Sequence, residues 1–70
     1  MTFTLKQKRI DGYLLSIEQE KFSTAYEVRL ARLLDECRAV DIDRKTYATR
    51  EQANRRFYTL SHRIKNGGQV

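Results

Sequence analysis

One cysteine and one histidine leave this 70-residue chain nothing with which to staple itself. A lone Cys cannot close an internal disulfide, and one Cys with one His cannot complete a structural zinc site. A core of this size supplies only about 3–5 kcal/mol. The fold must therefore come from efficient packing of regular elements, from self-association or from a partner, and a homodimer is one expected outcome. One domain spanning 1–70 is expected. The first residues carry no apolar run of signal-peptide length, and no stretch approaches a membrane span. A single reduced thiol suits the cytoplasm, so a cytoplasmic protein without membrane contact is expected.

There is no proline, and glycine occurs only at 12, 67 and 68. Ala, Glu, Lys, Leu and Arg make up 31 of the 70 residues, a helix-leaning composition. Thr4-x-x-Gln7, Thr24-x-x-Glu27 and Thr49-x-x-Gln52 each have the form of a capping box. Each precedes apolar residues at spacings of three and four. The leading expectation is therefore all-α, a compact three-helix domain. Its first helix covers about 5–20, with Ile10, Tyr13, Leu14 and Ile17 on one face. The second covers about 25–39, with Tyr26, Leu30, Leu33, Leu34, Cys37 and Val40 as its stripe. The third covers about 50–66, with Ala53, Phe57, Leu60 and Ile64 inward and Asn66-Gly67-Gly68 as the stop.

The alternative is α+β, a short antiparallel meander packed on a C-terminal helix. Asp11-Gly12 is a strong hairpin dipeptide. Tyr13, Leu15 and Ile17 alternate, as do Tyr26, Val28 and Leu30, and 39–48 can supply another strand. The helix over 50–66 is common to both readings.

Charge is uneven along the chain. Residues 44–70 carry +6, with Glu51 as their single acid, whereas residues 1–43 carry −1. A field of one sign concentrated on one segment attracts a polyanion or an acidic protein surface. The expected contact residues are Arg44, Lys45, Arg50, Arg55, Arg56, Arg63 and Lys65 for phosphates, with Asn54, Tyr58 and His62 for anything more selective. This reading requires that Arg55, Arg56 and Arg63 not all be neutralised by acids of the same chain. From Arg55 onward the chain resembles a winged-helix recognition helix running into a first wing strand. It carries no diagnostic motif of that family, and the link over 41–48 is too long for a tight helix-turn-helix turn.

Enzymatic chemistry is not expected. His62 has no sequence-near carboxylate other than Glu51, and Cys37 reads as a small core residue with no base beside it. Asp41 and Asp43 resemble the start of a calcium loop, but Lys45, Thr46 and Gln52 occupy the positions that would need a ligand, a glycine and a glutamate. Turn or capping roles are expected for the two aspartates. Gly67-Gly68 lacks the strand and the Lys-Ser/Thr of a phosphate loop. No metal or cofactor is implied. The leading functional expectation is a small regulatory protein that contacts nucleic acid through its basic C-terminal helix. Its rival is an inhibitor or adaptor of the type encoded by phages and mobile elements, docking on a host protein through the basic face or through Phe3, Leu15 and Phe22.

Overall fold

The computed structural model describes residues 2–67. Four strands are followed by one helix: β1 (Thr2–Ile10), β2 (Tyr13–Glu20), β3 (Tyr26–Leu33), β4 (Ala39–Tyr47) and α1 (Arg50–Lys65). The strands form one antiparallel meander in the order β1-β2-β3-β4, and α1 lies across one face of it. The all-α expectation is thus overturned, and the α+β meander holds.

The physical reason lies in the apolar spacing. Ile10, Tyr13, Leu14 and Ile17 fit a helical stripe, but Tyr13, Leu15 and Ile17 also fit a strand with period two. Burial decides between them: Leu15 and Ile17 are buried, whereas Leu14 is only partly covered. In the expected second helix, Val28 and Leu30 are buried while Leu34 and Val40 are more than half exposed. Cys37, expected in a core stripe, is exposed in the turn joining β3 to β4. Leu15, expected as a partner contact, is fully buried.

Asp11 and Gly12 form the β1–β2 turn, both at positive φ (45° and 82°), the conformation of a type I′ hairpin. That two-residue turn sets Ile10 opposite Tyr13, Lys8 opposite Leu15 and Lys6 opposite Ile17. A register change interrupts β1 at Leu5, which packs against the core. A second interrupts β4 at Ile42 and parts two acids that would otherwise share a face. Asp41 meets Ala31, while Asp43 meets Leu30. The two aspartates thus belong to a strand rather than to the expected turn.

Of the three Thr-led boxes, only Thr49 caps a helix. Its backbone is extended and its Oγ1 accepts from the Gln52 N–H. The helix closes at Asn66, whose N–H donates to the His62 carbonyl, and Gly67 follows at φ 71°. Gly68, the remainder of the expected stop, lies outside the described residues. The core is a single layer between α1 and the sheet. Ala53, Phe57, Leu60 and Ile64 press on Leu15, Ile17, Val28 and Leu30, with Leu5, Tyr13, Tyr26 and Tyr47 at the margin.

Phe57→Ala is expected to remove about 3–5 kcal/mol, which is most of what a domain this small has. Far-ultraviolet circular dichroism at 25 °C should show a largely unfolded chain. Phe22→Ala, at a side chain 95% exposed, should leave the melting temperature nearly unchanged.

Candidate nucleic-acid interface

The sheet has two unlike faces. The open face, away from α1, carries a cross-strand ladder of ion pairs. Arg29 Nε donates to Asp41 at 2.6 Å and Arg29 lies 3.5 Å from Glu18; Arg44 reaches Glu27 at 2.9 Å and Asp41 at 3.7 Å. Ser16 Oγ donates to Glu18 in the same ladder. Asp41 and Glu18 hold the Arg29 pKa above its ordinary value against a desolvation penalty. Most of the acids placed in strands are neutralised here.

The helix side is different. Its acids among the described residues are Asp43 and Glu51. Its bases come from three strands and the helix: Lys6 and Lys8 on β1, Arg32 on β3, Lys45 on β4, and Arg50, Arg55, Arg56, Arg63 and Lys65 on α1. Arg55 lies 3.6 Å from Glu51 one turn back, with both side chains highly exposed. Such a pair is worth only about 0.3–0.5 kcal/mol. Arg56 bends back over β4 to Asp43 at 3.6 Å and is half-buried. No carboxylate among the described residues pairs with Arg63, so the condition on Arg55, Arg56 and Arg63 is met by Arg63.

The ten expected contact residues therefore divide. Arg44 lies on the open face, bound into the ladder. Arg56 is held against β4. Arg50, Arg55, Tyr58, His62, Arg63 and Lys65 are exposed along α1, with Asn54 partly covered on its β1 flank. Lys45, on β4 below the helix, stands 5.9 Å from the Tyr47 ring. A cavity of about 290 Å³ between Tyr47, Gln52, Arg55, Arg56 and Thr59 opens on the β4 flank of α1.

Lys6 and Lys8 join the site although they stand far from it in sequence. Lys6 Nζ donates to Tyr58 Oη at 2.8 Å and sits 4.4 Å from the Tyr58 ring centre and 5.1 Å from that of Phe57. Lys8 shares the strand face of Lys6, and Lys65 lies two turns along α1 from Tyr58. Hydrogen bonding and repulsion from Lys65 lower the Lys8 pKa, and Lys6 lowers that of Tyr58. The signal for Lys6 and Lys8 was their alternation along a strand ending in Asp11-Gly12. It points to this flank only once α1 is placed.

Comparison of the chain with known protein families, with curated proteins and with solved structures gives no match. No helix of the described residues is long and apolar enough to cross a membrane. Among them, no group of His, Cys, Asp and Glu is arranged to hold a metal ion.

Lys8 and Tyr58 both titrate below their ordinary values of 10.5 and 10.0. Between the lowered folded pKa and the unfolded one, the unfolded chain binds more protons, so each group makes stability rise with pH. Both groups are exposed, and screening keeps the effect small. The wild-type melting temperature minus that of the Lys8→Gln/Tyr58→Phe double variant should increase steadily from pH 7 to 10.5, because the cost of charged Lys8 is present at pH 7 and relieved at high pH, while the gain from ionised Tyr58 appears only at high pH.

Proposed function

We propose that the protein is a small non-enzymatic regulator, acting in the cytoplasm, that binds nucleic acid with the outward side of α1. The observation that carries this reading is the sorting of charge between the two faces of the sheet. Acids neutralise Arg29 and Arg44 on the open face, while Arg50, Arg63 and Lys65 project beside α1 with no carboxylate among the described residues paired to them. An α-helix with its side chains is about 10–12 Å across and matches a B-form major groove of about 12 Å. Arg55 and His62 then face the groove floor, with Arg63 on one flank and Asn54 on the other. Arg can fork onto guanine or phosphate, and Asn can pair with adenine.

A second reading is favoured by the β2–β3 turn. Phe22 is held at φ 69°, unusual for a bulky residue, and is 95% exposed. The turn is braced by the Ser23 N–H donating to the Glu20 carbonyl, Gln19 Nε2 donating to the Ser23 carbonyl and the Ala25 N–H donating to Ser23 Oγ. An ordered turn that thrusts an aromatic ring into water suits an anchor for a protein pocket. On this reading the protein is an inhibitor or adaptor docking on a larger partner. Phe22→Ser would then abolish function while Arg63→Glu leaves it intact.

Fluorescence anisotropy with a mixed-sequence DNA duplex and the matching RNA duplex tests the first reading. Neutralising some four to five phosphates should lower affinity by about 10²–10³-fold between 50 and 200 mM salt. The Arg55→Glu/Arg63→Glu variant should lose binding at every salt concentration. A flat salt response would remove the reading.

A further inference from the structure

We infer that the seam between β1 and α1, built from Lys6, Lys8, Lys65 and Tyr58, is a phosphate-binding site that grips the sugar-phosphate backbone of the nucleic acid while α1 faces the groove. This inference rests on the nucleic-acid reading above and adds a strand to it. The seam assembles lysines from opposite ends of the chain. The Asp11-Gly12 turn fixes the register that aims Lys6 and Lys8 at the helix side, and α1 brings Tyr58 and Lys65 alongside them.

Three observations point to an anion. No carboxylate among the described residues pairs with any of the three lysines. Lys8 shares the strand face of Lys6, and Lys65 lies two turns along α1 from Tyr58, so both lysines are carried to the same seam; like charges placed together repel until a negative group enters, and the Lys8 pKa is lowered accordingly. Lys6 is already oriented, since Tyr58 Oη accepts its proton and the Tyr58 and Phe57 rings lie within cation–π range. Ordering a lysine before the ligand arrives reduces what binding must immobilise.

The chemistry favours phosphate over a carboxylate-rich protein. The seam is made of lysines, compact point charges suited to a tetrahedral phosphate, rather than the planar forks that match carboxylates. Lys6 and Lys8 are two residues apart on one strand, about 6.7 Å, a step comparable with that between neighbouring phosphates. Tyr58 has one ring face occupied by Lys6, which removes that face from base stacking. Its hydroxyl accepts from Lys6 and keeps its own proton to donate to a phosphate oxygen. The seam thus supplies affinity without sequence preference.

The test compares the wild type with Lys8→Gln/Lys65→Gln, both exposed positions, with Lys6→Gln, and with Arg63→Gln as a helix reference. All four are measured as full chains on the DNA and RNA duplexes across a salt series, with circular dichroism to verify folding. The double variant should bind at least about tenfold more weakly at low salt. The slope of log affinity against log salt should be shallower by about 2, uniformly across sequences. If Arg63→Gln weakens binding while the double variant and Lys6→Gln match wild type in affinity and slope, the seam is overturned and the helix reading stands. If the wild type binds neither duplex, the helix reading itself fails and the seam with it. If polyglutamate of matched charge displaces the duplex from the wild type as well as a competing duplex does, the seam is a carboxylate surface and the phosphate assignment is overturned.

Discussion

Everything in this molecule depends on one contact layer: the stripe of Ala53, Phe57, Leu60 and Ile64 set down on Leu15, Ile17, Val28 and Leu30. A four-stranded meander alone leaves both faces wet, and a single 16-residue helix is marginal in water. Neither element stands without the other. Phe57 is the largest fully buried side chain and sits at the centre of the layer. Its immediate neighbour, Tyr58, turns outward to meet Lys6. One helical step therefore joins the residue that holds the fold to the residue that orders the charged seam.

Register does the rest. A strand alternates its side chains, so a shift of one residue exchanges the two faces. The hairpin turn sends Lys6 and Lys8 to the helix side, and the irregularity at Ile42 sends Asp41 to the open face and Asp43 to the helix side. Charge is thereby sorted by backbone geometry rather than by position along the chain. Arg44 illustrates this: it lies in the basic segment of the sequence, yet β4 delivers it to Glu27 and Asp41 on the open face.

The same geometry explains what could be read beforehand. The helix at the C-terminus was legible because its cap, stripe and stop agree with one another. Thr49 accepts from Gln52, four apolar residues fall within one arc, and Asn66 with Gly67 ends the element. The first 45 residues were ambiguous because their apolar spacing satisfies both periods. Leu14, Leu33 and Leu34 supported a helix that burial does not honour. The Thr4 and Thr24 boxes were local coincidences, overridden by strand pairing. Asp11-Gly12 was the decisive local signal, since a pair of residues at positive φ terminates a helix but makes a tight hairpin. Lys6 and Lys8 could not be assigned to the basic surface from sequence, because their place there depends on a register and a docking angle that only tertiary packing sets.

Placing uncompensated bases together weakens a small domain by repulsion, and here the strain is local. On the open face Arg29 and Arg44 are matched within their ladder, so the ladder adds little net field. On the helix side, Lys8 and Lys65 are held near one another by the elements that carry them, and the repulsion is relieved only by deprotonation or by an incoming anion. An incoming anion relieves it whatever the pH. A ligand that binds the folded chain and not the unfolded one adds its binding free energy to stability. A domain with a single core layer and no covalent staple gains proportionally more from that than a larger protein would. Under the proposed reading, the same charge arrangement couples folding to the binding of a negatively charged partner.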